Sequence, residues 1–238
     1  MFYGWKRFLP AWVEICPILL PGREARLAED PWTDSRELIA AMTDALRGHL
    51  ELPYAIFGHS MGALLAFELA QSLRAAGQRP PEHLFVSGRM APQLDPGSRS
   101  LHTLPQDRFI EAIDARYGGL PQEIVTNQEL LEIYLPILRA DLQLLETHFH
   151  GFPEPLDCPI SAFAGADDPN VSGEALDAWG EQTSGSFKSR RFEGGHFYLN
   201  GLGKAPLLEL LSERLTAIHD RVGGKSLASQ PEAVAKLD

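Results

Sequence analysis

The sequence predicts an α/β fold: a mostly parallel sheet with helices on both faces. Three observations predict it. Short apolar runs of strand character alternate with longer runs of helical period. One such strand, in Tyr54–Phe57 (YAIF), passes through Gly58-His59-Ser60-Met61-Gly62 straight into the helical run ALLAFELAQSLRAAG. A long, mostly helical insertion at about 98–155 interrupts the alternation without ending it. The chain of 238 residues, 44% of them hydrophobic, suffices for one such domain with a large core, over residues 1–222.

Taken in order, Val13–Leu19 (VEICPIL) reads as the first strand, although Pro17 cannot donate to a ladder. Asp34–Leu50 reads as a helix with Thr33 or Asp34 as its cap. The YAIF strand and its helix follow, the helix ending at Gly77. Further strands are expected at Glu82–Ser87, Pro159–Ala164 and Phe187–Phe192. Pro206–Val222 closes with a helix that has Pro206 in its first position. Within the insertion, helices are expected over Pro105–Tyr117 and Asn127–Phe149. The second carries Leu130, Leu131, Tyr134, Leu138, Leu142 and Leu145 along an apolar face. An insertion this apolar is expected to form a lid over the strand ends, where open α/β sheets bind ligands. The tail, residues 223–238, has little apolar content and is expected to be mobile.

Charge and cysteine content exclude several classes. A formal net charge of −11 argues against a general binder of nucleic acid or anionic membranes. No run is apolar for long enough to span a bilayer. The stretch MFYGWKRFLPAW has neither a continuous apolar region nor a small-residue cleavage site, so no secretory signal is read. The 2 cysteines, Cys16 and Cys158, lie in strand-like contexts and are expected to be buried free thiols of a cytoplasmic protein.

The turn at Ser60 carries the chemistry. A serine hydroxyl is a poor nucleophile until a base takes its proton, and it must stand clear of the backbone to be reached. A sharp strand-to-helix turn exposes it at the cost of a strained conformation. That turn requires small neighbours two residues away, here Gly58 and Gly62. The base is expected to be His196, after the last strand in Glu193-Gly194-Gly195-His196-Phe197. His59 lies inside the turn and is expected to face away from Ser60. His49, His83, His102 and His219 lie in surface-like contexts. His148 and His150 alternate without a third ligand, so solvation is expected there rather than a metal. The acid that orients the base is expected in Gly165-Ala166-Asp167-Asp168-Pro169, as Asp168 or Asp167. The resulting chain order, Ser, Asp, His, is that of α/β-hydrolases.

With these stretches in view, the sequence resembles the type II thioesterases, discrete editing hydrolases of nonribosomal peptide and polyketide synthesis. The resemblance runs from about Gly4 to Leu211. It rests on Leu20-Pro21-Gly22-Arg23-Glu24, Phe57–Ala63 (FGHSMGA), Leu84–Arg89 (LFVSGR), Leu138–Leu142 (LRADL), Gly165–Pro169 and Gly194–Phe197. It implies Ser60 as nucleophile, His196 as base and Asp168 rather than Asp167 as acid. It also implies the Met61 backbone N–H as an oxyanion donor. The implied reaction is hydrolysis of an acyl thioester on the phosphopantetheine arm of an acyl or peptidyl carrier protein, by a monomer that needs no cofactor or metal. Related thioesterase domains built into synthases often carry the acid near the position of Ser87 and Gly88, where this chain has no carboxylate.

One departure stands out. Members of that family normally begin with another strand and a loop rich in aromatic, alanine and glycine residues, which gives a second oxyanion donor. Here Met1-Phe2-Tyr3-Gly4-Trp5 aligns with the helix after that loop, so the strand and loop are expected to be missing. Two alternatives to an active editing enzyme follow: a carrier-protein-binding module with impaired catalysis, and an esterase acting on small soluble esters.

Overall fold

The structure is a computed structural model that describes residue 2 and residues 4–94, 100–117, 122–148 and 154–223. His150, the ends of the insertion and the tail from residue 224 lie outside the described residues.

Four parallel strands form the sheet in the order β1 (Ala55–His59), β2 (His83–Ser87), β3 (Ile160–Gly165) and β4 (Phe187–Phe192). Helix α1 (Ser35–Leu46) precedes β1, and α2 (Met61–Ala75) connects β1 to β2. Between β2 and β3 lie α3 (Gln106–Tyr117), α4 (Gln122–Val125) and α5 (Gln128–Thr147). The short α6 (Gly173–Asp177) follows β3, and α7 (Lys204–Val222) follows β4. Asp34, not Thr33, caps α1: its carboxylate accepts the Arg36 and Glu37 N–H groups at 2.7 and 3.1 Å.

Alternation along each strand sorts its side chains to two faces. Leu84 and Val86 of β2 join Ile160, Ala162 and Ala164 of β3 against Ala63, Phe67 and Ala70 of α2 and the buried Trp179. Phe85 and Phe163 point the other way, against Leu207, Leu208 and Leu211 of α7 and Trp5. Burial on both faces explains why β2 and β3 read as continuous apolar runs. α1 forms an outer layer, with Leu38 and Ile39 packed on Leu65, Leu69 and Leu73 of α2.

The strand expected over Val13–Leu19 is not formed. That stretch has no ladder partner, and among the described residues no strand pairs with the far edge of β1. Its alternation has a different origin. Ile15 packs on the Trp5 cluster, while Cys16 and Ile18 face solvent and Pro17 offers no N–H. Cys16 is therefore exposed rather than buried. Cys158 is buried as expected, and burial pushes its thiol up to about 11.

The insertion is helical and packs on itself. Leu131, Leu135 and Leu142 of α5 meet Phe109 and Ile113 of α3. Tyr134, expected on this apolar face, is exposed instead. Asn127 caps α5, and Pro136 lies inside it. The Glu146 carboxylate accepts the backbone N–H groups of Leu101 and His102 and contacts His102 Nδ1 at 2.6 Å. Among its links to the sheet domain, Asp141 pairs with Arg23, and His148 contacts Ser35 Oγ at 2.9 Å and Glu68 Oε1 at 3.0 Å. His148 is thus a bridge between helices, not a solvated side chain. His83 is likewise not at the surface. It is buried against Ser161 Oγ at 2.9 Å, and burial pushes it down to about 4. His219 stacks on Trp12 at 4.2 Å.

Candidate active site

The chain places Ser60 at the carboxyl end of β1, in a conformation few residues adopt. Its φ of 55° and ψ of −116° fall in the positive-φ region, at a cost of about 1–3 kcal/mol. The Ser60 N–H donates to the Ser87 carbonyl at 2.7 Å, tying the turn to the end of β2. Gly58 is sterically required, since a Cβ there would meet the Gly62 carbonyl oxygen at 2.0 Å. Gly62 is not required in the same way: a Cβ on it would enter open space. The pattern therefore needs one small side chain for contact, not two. Met61 opens α2, so its N–H is among the first of that helix, which have no intrahelical acceptor.

His196 reaches Ser60 from the loop after β4. Its Nε2 lies 3.0 Å from Ser60 Oγ, and its Nδ1 lies 2.8 Å from Asp168 Oδ2. Both the imidazole and the carboxylate are buried. The structure thus separates the two candidate acids: Asp168 turns inward to His196, and Asp167 is exposed, its backbone N–H donating to the Gly194 carbonyl at 3.0 Å. Burial raises the Asp168 pKa. Hydrogen bonds from His196 and from the Asn170 backbone outweigh this and hold the carboxyl below its ordinary value. A carboxylate so held keeps a proton on His196 Nδ1 and leaves Nε2 free to accept one from Ser60.

A sequence model of the thioesterase domain matches residues 1–215. The chain belongs to the thioesterase family. Among its relatives is the gramicidin S biosynthesis protein GrsT of Aneurinibacillus migulanus, 38% identical over 91% of this chain and 84% of that one. Among solved structures, the RedJ thioesterase of the prodiginine pathway in Streptomyces coelicolor is 44% identical, with a TM-score of 0.82 over 89% of this chain and 79% of that one. The type II thioesterase BorB from the borrelidin cluster is 36% identical, with a TM-score of 0.70 over 83% and 77%. The fold is that of the α/β-hydrolases, and the thioesterase's chain order of Ser60, Asp168 and His196 accords with it.

Several groups around the thioesterase site were not legible in its sequence. Asn170 holds Asp168 through its backbone N–H at 2.9 Å and its side-chain amide at 3.2 Å. The same amide donates to the Arg116 carbonyl, which links the acid to α3. The Tyr117 ring packs on the His196 ring at 5.1 Å. His59 packs on His196 from another side, also at 5.1 Å. It is buried, with Nδ1 2.9 Å from Ser87 Oγ, which in turn lies 2.8 Å from the Tyr198 hydroxyl. Burial and the neighbouring His196 push His59 down to about 3, so it stays neutral at working pH. The Asp-Pro-Asn turn was a readable signal for Asn170. The other contacts join residues far apart in sequence.

Gly88 makes room for the His59 ring. It sits at φ +64°, and a Cβ there would meet His59 Cε1 at 2.5 Å. Gly88→Ala is expected to destabilise the thioesterase by at least about 1–2 kcal/mol from the backbone alone. It is also expected to slow hydrolysis by displacing His59 against His196. Thermal melts and initial rates check this, and an unchanged melting temperature and rate would refute it.

Proposed function

We propose that this protein is a type II thioesterase that removes acyl groups from the phosphopantetheine arms of carrier proteins in nonribosomal peptide or polyketide synthesis. The observation that carries the reading is the chain of contacts from Ser60 through His196 to Asp168 at 3.0 and 2.8 Å, built on a strained turn in a member of the thioesterase family. The names of GrsT, RedJ and BorB, each tied to a biosynthetic pathway or cluster, support the biosynthetic setting.

In this reading His196 Nε2 takes the Ser60 proton as Oγ attacks the thioester carbonyl. The Met61 N–H donates to the oxyanion that forms. Asp168 accepts from His196 Nδ1–H and stabilises the imidazolium. The carbon–sulfur bond breaks, the thiolate leaves readily because thiols are far more acidic than alcohols, and His196 returns the proton to it. Water, activated by the same imidazole, then cleaves the acyl-serine to free acid and Ser60. The protein acts as a cytoplasmic monomer without cofactor, and α3–α5 form the lid over the arm.

A carrier-borne arm makes contacts remote from the reacting carbonyl, and such contacts raise the efficiency of the chemical step. The expected result is a kcat/KM for an acyl-carrier protein well above that for the same acyl group on N-acetylcysteamine. Equal efficiency on both would favour an esterase of small substrates.

A further inference from the structure

Arg89 stands two residues beyond the end of β2, on the side of the sheet where Ser60 lies. Its backbone is fixed: Trp179 Nε1 donates to its carbonyl at 2.9 Å, and the preceding Gly88 N–H donates to Phe163 O at 2.8 Å. Its side chain is half-buried and only partly satisfied. Nε is buried without an acceptor, and no carboxylate or carbonyl among the described residues is hydrogen-bonded to the guanidinium. Other partly buried arginines do find acceptors. Arg23 has Asp141, Arg74 has the Pro155 carbonyl, and Arg139 has the His102 carbonyl.

The surroundings deepen the contrast. Burial pushes Arg89 down to about 10; Tyr117 opposes this and Arg116 adds to it. Arg89 therefore sits within electrostatic reach of Tyr117, the ring that packs on His196. A guanidinium presents five donors in a rigid fork, and a buried N–H left without an acceptor, as at Arg89 Nε, is costly. Ligands of open α/β sheets bind at the carboxyl ends of the strands, which is where this fork stands. A bound group that brought two oxygen acceptors would satisfy it.

Building on the proposed thioesterase function, we propose that Arg89 binds a negatively charged oxygen group of the substrate at the carboxyl end of the sheet. Two parts of an acyl-arm substrate have this chemistry: a carboxylate on the acyl chain and the phosphate of the arm. Both match the fork in a bidentate fashion. Arg89 would then set preference among substrates without taking part in proton transfer.

The test uses four thioesters: butyryl and succinyl groups, each on N-acetylcysteamine and on 4′-phosphopantetheine. Arg89→Gln is expected to lower the kcat/KM ratio of an anionic substrate over butyryl-N-acetylcysteamine by about ten- to a hundredfold. A fall that follows the succinyl group assigns the site to an acyl carboxylate. A fall that follows the pantetheine phosphate assigns it to the arm. Unchanged ratios, or equal losses on all four substrates, would overturn the proposal. Arg89→Lys keeps the charge and loses the fork. A smaller fall in the same ratio is expected there, which provides the comparison should the glutamine variant not fold. Calorimetric binding of the same thioesters to Ser60→Ala protein, with and without Arg89→Gln, repeats the comparison without turnover. A wild type that hydrolyses none of the four would therefore count against the proposed function alone, and the binding ratios would still decide for or against Arg89.

Discussion

Ser60→Ala is expected to abolish thioester hydrolysis, lowering kcat by about five to six orders of magnitude, while the protein stays folded. The size of the effect follows from the geometry. Ser60 Oγ is the atom that His196 Nε2 faces at 3.0 Å, and among the described residues no other hydroxyl is recorded against that nitrogen. Removing Oγ leaves a base with nothing to activate except water. Stability should not suffer, because alanine removes only a hydroxyl and keeps the Cβ that the strained turn already accommodates. A fluorophosphonate probe should label the wild type and leave the variant unlabelled, with matching circular dichroism spectra. Labelling that survives the substitution would remove Ser60 from the mechanism.

Asp168→Asn is expected to lower kcat by about four orders of magnitude. The side chain of Asp168 is completely buried, and its Oδ2 accepts from His196 Nδ1 at 2.8 Å. An asparagine amide in that place either donates to Nδ1, which moves the imidazole proton to Nε2, or leaves the imidazolium unsupported. Both outcomes disable the base. Asp167→Asn should change little, since that side chain faces solvent. Steady-state kinetics on one acyl thioester decide the matter. A larger loss from Asp167→Asn than from Asp168→Asn would reverse the assignment.

Local pattern made most of the fold legible. The YAIF strand and the helix after it show in sequence because burial on one or two faces imposes characteristic patterns, while β4 is exposed from Lys188 to Arg191 and shows only through Phe187 and Phe192 at its ends. The positions of Ser60 and His196 were legible for a related reason: glycines cluster where the backbone must turn sharply. Local pattern left Asp167 and Asp168 open, and it was the family resemblance that pointed to Asp168, the one that meets His196. Adjacent side chains in such a turn point apart, and only packing shows which one points inward. The failure at Val13–Leu19 has the same root. Its alternation is real, but what it covers is the Trp5 cluster, and no local signal distinguishes that from a ladder partner. His83, His148 and Arg89 were misread or passed over because their surroundings come from other elements.

The links along α5 also have a mechanical meaning. From Asp141 onward the helix is anchored to the sheet domain, through Arg23, through Leu144 packed in the α1–α2 cluster, and through His148 just past its end. Before that, Leu131 and Leu135 are packed on α3. Pro136 falls between the two stretches. It has no N–H to give the Glu132 carbonyl, so one rung of the helix is absent there. In engineering terms α5 is a cantilever beam with a notch ahead of its clamp. A force on the amino-terminal half bends the beam at the notch first. α3 is no free arm, since Leu142 holds it beside the clamped half and Asn170 holds the Arg116 carbonyl at its end.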